Sequence, residues 1–127
     1  MAILIVEDNE RNLKLVRDIL QYNGYETLEA RSAADGVALA VEHRPDLILM
    51  DIQLPDLDGV TALGRLRADP RTAPIGVVAL TAFAMSEDRQ DLLAAGFDGY
   101  LEKPIDTRAF PGQVLGLLSS TRLEESR

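Results

Sequence analysis

The segment that decides the fold is LILMD at residues 47–51, in which four apolar residues end in Asp51. A second segment of this kind, ILIVED at residues 3–8, ends in Glu7 and Asp8. Runs this short and apolar are typical of strands buried on both faces, as in a parallel sheet covered by helices. If the two runs are neighbouring strands, three carboxylates meet at one edge of the sheet. Because like charges about 4 Å apart repel by roughly 4 kcal/mol at an effective dielectric constant near 20, the cluster indicates a bound cation or a chemical role.

The rest of the chain alternates apolar runs with amphipathic segments. The predicted strands are 2–6, 26–30, 47–50, 76–80 and 99–101. The predicted helices are 11–23, 33–42, 61–68 and a fourth that is capped by Ser86 and ended by Gly96. In the fifth helix Asp106 is a good N-cap, yet Pro111-Gly112 follows about one turn later, which predicts a kink or a start near Pro111.

This alternation predicts a (βα)5 fold of the α/β class, a doubly wound parallel sheet. One domain is expected over residues 1–120, followed by a flexible tail at 121–127 and no output domain. In such sheets function lies outside the carboxyl ends of the strands. The polar residues expected there are Glu7, Asp8, Asp51, Thr81 and Lys103. Gly59 is expected in a turn that needs a positive φ.

Charge and composition exclude several functions. The net charge of −8 argues against direct binding of nucleic acid, because phosphate backbones attract basic surfaces. The sequence has no cysteine, so disulfides, thiolate metal sites and a cysteine nucleophile are excluded. No apolar segment approaches the length that spans a bilayer. We therefore expect a cytoplasmic protein without membrane contact.

The residue types at the predicted edge suit phosphoryl transfer. Carboxylates without histidine or cysteine form an oxygen site for Mg²⁺, with Mn²⁺ as an alternative. A nearby lysine would neutralise a phosphoryl group, and a threonine hydroxyl can donate to a phosphoryl oxygen. Asp51, the lone acid at the end of the middle strand, is the natural acceptor.

Four motifs follow one another along the chain: VEDN at 6–9, LMDIQLP at 49–55 followed by DG at 58–59, LTA at 80–82 and YLEKP at 100–104. Together they resemble the receiver domain of bacterial two-component response regulators. Their order and spacing cover nearly the whole chain. The resemblance implies a CheY-like, flavodoxin-like fold, with a five-stranded sheet in the order 2-1-3-4-5.

The resemblance also implies roles for the acidic residues. Asp51 matches the aspartate that receives a phosphoryl group from a histidine kinase or a histidine phosphotransfer protein. Asp8, Asp51 and the backbone carbonyl of Gln53 match direct Mg²⁺ ligands, and Glu7 matches an acid that reaches the metal through water.

Three further residues match the part of the family site that responds to phosphorylation. Thr81 and Lys103 match the residues that hold the phosphoryl group, and Tyr100 matches an aromatic switch that follows Thr81. The implied protein is a monomer or weak dimer. It is no conventional enzyme but changes its contacts with a downstream kinase, phosphatase or regulator.

Three alternatives stay open at this point. The chain could be the receiver of a hybrid kinase, which shares these motifs, or a degenerate receiver that binds partners without phosphorylation. The third alternative is a phosphatase or mutase that works through an aspartyl phosphate. Such enzymes commonly need a second aspartate two positions after the nucleophile. Gln53 occupies that position and cannot titrate.

Overall fold

The structure, a computed structural model, describes residues 2–81, 86–102 and 108–116. The strands in these ranges are β1 (Ala2–Val6), β2 (Glu26–Ala30), β3 (Leu47–Asp51), β4 (Gly76–Thr81) and β5 (Gly99–Glu102). The helices are α1 (Glu10–Tyr22), α2 (Ala33–His43), α3 (Gly59–Ala68), α4 (Ser86–Ala95) and the described part of α5, residues 110–116. The predicted order of strands and helices is confirmed. None of the helices in the described ranges combines the length and hydrophobicity needed to cross a membrane.

All strand pairs in the described sheet are parallel, and their order is β2-β1-β3-β4-β5. This confirms the predicted fold class and strand order. β1 lies inside the sheet, where it pairs with β2 on one side and β3 on the other. In the register between β1 and β3, Val6 lies opposite Met50. Glu7 directly follows Val6, and Asp51 directly follows Met50. Both acids therefore lie at the same edge of the sheet.

Helices cover the sheet on both faces, which explains why the strands β1, β3 and β4 are apolar with almost no alternation. One face packs against α2, α3 and α4 through alternate side chains that include Leu4, Val6, Ile48 and Met50. The opposite face packs against α1 and α5 through the intervening side chains, which include Ile3, Ile5, Leu47 and Leu49. The result is a three-layer arrangement in which Glu7 and Asp51 lie at the carboxyl ends of buried strands.

The described part of α5 begins at residue 110. Its first backbone hydrogen bond runs from the Gln113 amide to the Ala109 carbonyl, at 3.1 Å. Pro111 thus lies in the first helical turn, where its missing N–H group has no intrahelical partner to lose. Of the two predicted alternatives, the late start is confirmed. The predicted cap Asp106 lies outside the described residues.

At the amino ends of β4 and β5, one arginine of α3 connects two loops. The guanidinium of Arg67 donates to the carbonyls of Ala73 at 2.9 Å, Ile75 at 2.6 Å and Gly96 at 3.2 Å, and to Oδ2 of Asp98 at 2.7 Å. The same Asp98 oxygen accepts the Val77 amide at 2.8 Å. We call this group the arginine clasp. It joins the end of α3 to the starts of β4 and β5.

Candidate functional site

The carboxyl ends of β1 and β3 bring three acids together. Carboxylate oxygens of Glu7, Asp8 and Asp51 lie within 4.8 Å of one another. The Glu7 amide still bonds to the Ala30 carbonyl at 3.0 Å, so the backbone is held to β2 as it leaves β1. The predicted clustering of these carboxylates is confirmed, and we call the three residues the acidic edge.

Burial differs sharply among these three acids. Glu7 is fully buried and Asp51 is 5% exposed, whereas Asp8 is exposed. Removing carboxylates from water is costly unless opposite charge or hydrogen bonds compensate. All donor atoms of the group are carboxylate oxygens, which suits a hard divalent cation. The residues present therefore fit such an ion, and Asp8 marks the side open to solvent.

Local hydrogen bonds hold one oxygen of each buried acid. Oδ1 of Asp51 accepts the backbone amide of Gln53 at 2.9 Å. Oε1 of Glu7 accepts the backbone amide of Asn9 at 3.2 Å. Asn9 in turn caps α1, because its Oδ1 accepts the amides of Arg11 at 3.0 Å and Asn12 at 3.1 Å. These contacts restrict how the two carboxylates can rotate.

The loop between β3 and α3 closes on itself beside Asp51. Gln53 and Asp58 form an antiparallel bridge, which places the predicted carbonyl ligand in a short, paired loop. Oδ1 of Asp58 accepts the Thr61 amide at 2.7 Å and so caps α3. This hydrogen bond lowers the pKa of Asp58 below its ordinary value. The loop is thus held at both ends.

Gly59 corrects a prediction made from the sequence. Its φ is not positive, so the turn argument was wrong. A Cβ atom at this position would lie 2.7 Å from Cα of Ile52 and 3.1 Å from the backbone oxygen of Asp51. The amide of Gly59 also bonds to the Ile52 carbonyl at 3.0 Å. Glycine is needed because α3 begins in close contact with the backbone around Asp51.

Of the remaining predicted site residues, the structure describes Thr81 and Tyr100. Thr81 is fully buried and is the last residue of β4, whose Leu80 pairs with Asp51. Tyr100, in β5, is half-buried and packs against the core on the side of α2, α3 and α4. Lys103 lies outside the described residues. The carboxyl ends of β1, β3 and β4 therefore contribute to one edge as the sequence predicted.

Asp56 is a residue whose importance the sequence did not indicate. Its two carboxylate oxygens accept the backbone amides of Ala33 at 2.9 Å and Ala34 at 3.0 Å. The hydrogen bonds from Ala34 and then Ala33 lower the pKa of Asp56. Its neighbours Pro55 and Asp58 suggest only a turn, and nothing in the local pattern points to α2. The contact depends on two segments that meet only in the folded chain.

Comparison with known proteins agrees with this site and fold. The family model of the response regulator receiver domain matches residues 3–114. The chain therefore belongs to the response regulator receiver domain family, a class of signalling receivers rather than conventional enzymes. Membership of a two-component family implies a histidine kinase as partner.

Particular relatives can be named within that class. The polar-differentiation response regulator DivK of Brucella anthropi is 46% identical over 109 residues, which cover 86% of this chain and 89% of that protein. DivK of Brucella ovis matches equally well.

Solved structures include the receiver domain of a sensor histidine kinase from Pseudomonas aeruginosa, with a magnesium ion coordinated in its active-site cleft. It is 34% identical with a TM-score of 0.84, and the match covers 93% of this chain and 97% of that one. A CheY-like receiver domain protein from Methanospirillum hungatei is 31% identical, with a TM-score of 0.84 and 97% coverage of both chains.

Proposed function

We propose that the chain accepts a phosphoryl group on Asp51 from a phosphohistidine donor and then changes its contacts with partner proteins. The donor is a histidine kinase or a histidine phosphotransfer protein. The observation that carries this proposal is the position of Asp51. It ends a central strand, is 5% exposed and shares its surroundings with the carboxylates of Glu7 and Asp8.

Asp8, Asp51 and the Gln53 backbone carbonyl would hold Mg²⁺, with Glu7 reaching it through water. The support is the all-oxygen donor set, its spacing within 4.8 Å, and the magnesium ion in the related Pseudomonas aeruginosa receiver. When bound, Mg²⁺ supplies positive charge that neutralises phosphoryl oxygens. Mn²⁺, which also prefers oxygen ligands, would be accepted in its place.

The protein's own part in the transfer is that of a positioned nucleophile. A carboxylate oxygen of Asp51 forms a bond to phosphorus while the bond between phosphorus and the donor's imidazole nitrogen breaks. The imidazole keeps the electron pair of that bond and takes up a proton. The Gln53 amide donates to Oδ1 of Asp51 at 2.9 Å and so helps to orient the carboxylate for the attack.

Thr81 and Lys103 would bind the new phosphoryl oxygens, and Tyr100 would move with Thr81. Thr81 lies at the same edge of the sheet as Asp51, because the residue before it, Leu80, pairs with Asp51. Tyr100 lies in β5, where it pairs with Ala79 of β4. A phosphoryl group adds charge and three acceptor oxygens, enough for several charge-assisted hydrogen bonds. We propose that this rearrangement acts on a kinase, phosphatase or another regulator in the cytoplasm.

The test is phosphorylation by acetyl phosphate in the presence of Mg²⁺, followed by intact-protein mass spectrometry. We expect one phosphoryl group on the wild type, none on Asp51→Asn, and none when EDTA removes the metal. Asp46→Asn is the matched control, because Asp46 is exposed at the opposite end of β3. It should be modified like the wild type. An unmodified wild type, or equal modification of Asp51→Asn, would reject the proposal in favour of a phosphorylation-independent binding module.

A further inference from the structure

The helix α2 contributes no residue to the acidic edge, yet it contacts the segments that carry both halves of it. On the β1 side, Gly36 lies so close to Val6 that a Cβ atom would be 2.7 Å from Cγ2 of Val6. Val6 directly precedes Glu7 and Asp8. On the β3 side, the amino end of α2 binds Asp56 in the loop that follows Asp51.

The amino end of α2 receives caps from two different loops. Ser32, which directly precedes the helix, accepts the Asp35 amide through Oγ at 3.2 Å. Asp56, distant in sequence, accepts the amides of Ala33 and Ala34 through both carboxylate oxygens. Together they pair the first three amides of the helix, groups that have no intrahelical partner. The negative charge of Asp56 also suits the positive end of the helix dipole.

Only one of these two caps joins α2 to the loop that carries Gln53. The Ser32 contact is local and stabilises α2 alone. The Asp56 contact joins α2 to residues 52–58, the loop that contains Gln53 and begins beside Asp51. Loss of the Ser32 cap should therefore loosen the helix, whereas loss of the Asp56 cap should loosen the helix and the loop.

We propose that Asp56 is a positioning residue for the metal site, which holds the loop carrying the Gln53 carbonyl in place by docking on α2. This inference rests on the proposed function, in which that carbonyl is a metal ligand. Asp56 does not touch the metal in this account. It acts by reducing the freedom of the loop that must be ordered when the ion binds.

The experiment compares Mg²⁺ affinity in Asp56→Ala, Ser32→Ala and wild-type protein by following backbone amide shifts during a Mg²⁺ titration. Both substitutions remove a cap of the same helix, so both should lower stability, and Asp56→Ala should lower it more because Asp56 caps two amides and Ser32 caps one. Asp56→Ala should raise the Mg²⁺ dissociation constant about fivefold, the size expected for one lost cap, and Ser32→Ala should leave it unchanged. Amide hydrogen exchange in residues 52–57 should increase only in Asp56→Ala.

A second variant keeps the test decisive if Asp56→Ala fails to fold. Asp56→Asn keeps one acceptor oxygen, so its Mg²⁺ affinity should fall between those of Asp56→Ala and the wild type. Equal Mg²⁺ affinity in Asp56→Ala and the wild type, or equal weakening in Asp56→Ala and Ser32→Ala, would overturn the inference alone. A wild-type protein that binds no Mg²⁺ would overturn the proposed function and this inference with it.

Discussion

The two ends of the parallel sheet treat charge in opposite ways. At the carboxyl end, the acidic edge gathers three carboxylates within 4.8 Å, two of them buried. At the amino end, the arginine clasp surrounds one cation with three carbonyls and a carboxylate. The first arrangement places like charges together, and the second pairs opposite charges and dipoles.

The two arrangements of charge should have opposite effects on the stability of the folded state. Like charges at close range destabilise the folded state, and a divalent cation bound among the three carboxylates would offset their repulsion. The arginine clasp has no part in the proposed function. It stabilises the fold by hydrogen bonds between α3 and the loops that precede β4 and β5. We therefore expect the removal of one charged side chain to lower stability at the arginine clasp and to raise it at the acidic edge.

The largest effect on stability is expected from breaking the clasp. Arg67→Ala removes hydrogen bonds to Ala73, Ile75, Gly96 and Asp98, and should lower the free energy of unfolding by about 3 kcal/mol. Urea denaturation measures this change. Arg65→Ala, at an exposed position of the same helix, is the control and should change stability by no more than about 0.5 kcal/mol. Similar losses in both variants would contradict the role assigned to the clasp.

A smaller loss is expected where α3 meets the acidic edge. Gly59→Ala forces a methyl group against Ile52 Cα and the Asp51 carbonyl, which should cost about 2 kcal/mol and slow phosphorylation of Asp51. Gly64→Ala is the matched control on the same helix, because a Cβ atom there meets open space. It should stabilise the protein by about 0.5–1 kcal/mol and leave phosphorylation unchanged. If Gly59→Ala were as stable as the wild type, the close-approach explanation would fail.

Neutralising one acid should act in the stabilising direction. Without divalent metal, Asp51→Asn should raise the free energy of unfolding by about 1 kcal/mol, because repulsion with Glu7 and Asp8 is relieved. Addition of Mg²⁺ should reduce this advantage, since the wild type then gains a bound cation. Asp46→Asn should show no gain, because its carboxylate accepts the Ala2 amide at 2.8 Å. Denaturation with and without EDTA tests both statements.

The smallest effect concerns the pH dependence of stability, through Asp69 and Arg71 at the amino end of the sheet. The side-chain hydrogen bond from Arg71 lowers the pKa of Asp69 from 3.8 to about 2. A carboxyl group with a lowered folded-state pKa stabilises the fold above its unfolded value, and this contribution is lost as pH falls from about 4 towards 2. Asp69→Asn should therefore make stability less dependent on pH in that window. Arg71→Ala should have a smaller effect in the same direction, because the backbone amide of residue 71 still donates to Asp69, and adding it to Asp69→Asn should change the pH dependence no further.

The sequence predicted the strands and the acidic edge well, for physical reasons. Strands covered on both faces must be apolar throughout, so runs such as Ile3–Val6 and Leu47–Met50 stand out. Parallel strands must place their carboxyl ends together, so the positions of Glu7 and Asp51 follow from the fold class. These features depend on local composition and on one general rule of topology.

Other parts of the site could not be read from local patterns. Gly59 was assigned to a turn, whereas it allows α3 to approach the backbone of Ile52, a distance known only in three dimensions. Asp56 and Arg67 form hydrogen bonds with segments far along the chain, and acceptor carbonyls leave no mark in the sequence. Contacts of this kind depend on exact packing between elements rather than on the periodicity of either one.

The interior position of β1 has a consequence for synthesis of the chain on the ribosome. β1 is the first of these strands to be made, yet one of its two partners is β3, which ends at Asp51. A nascent chain that has completed only β1, α1 and β2 leaves one long side of β1 without backbone hydrogen bonds and exposes its apolar side chains. Early chains would therefore be prone to wrong pairing until β3 emerges, and folding during translation cannot be completed one βα unit at a time.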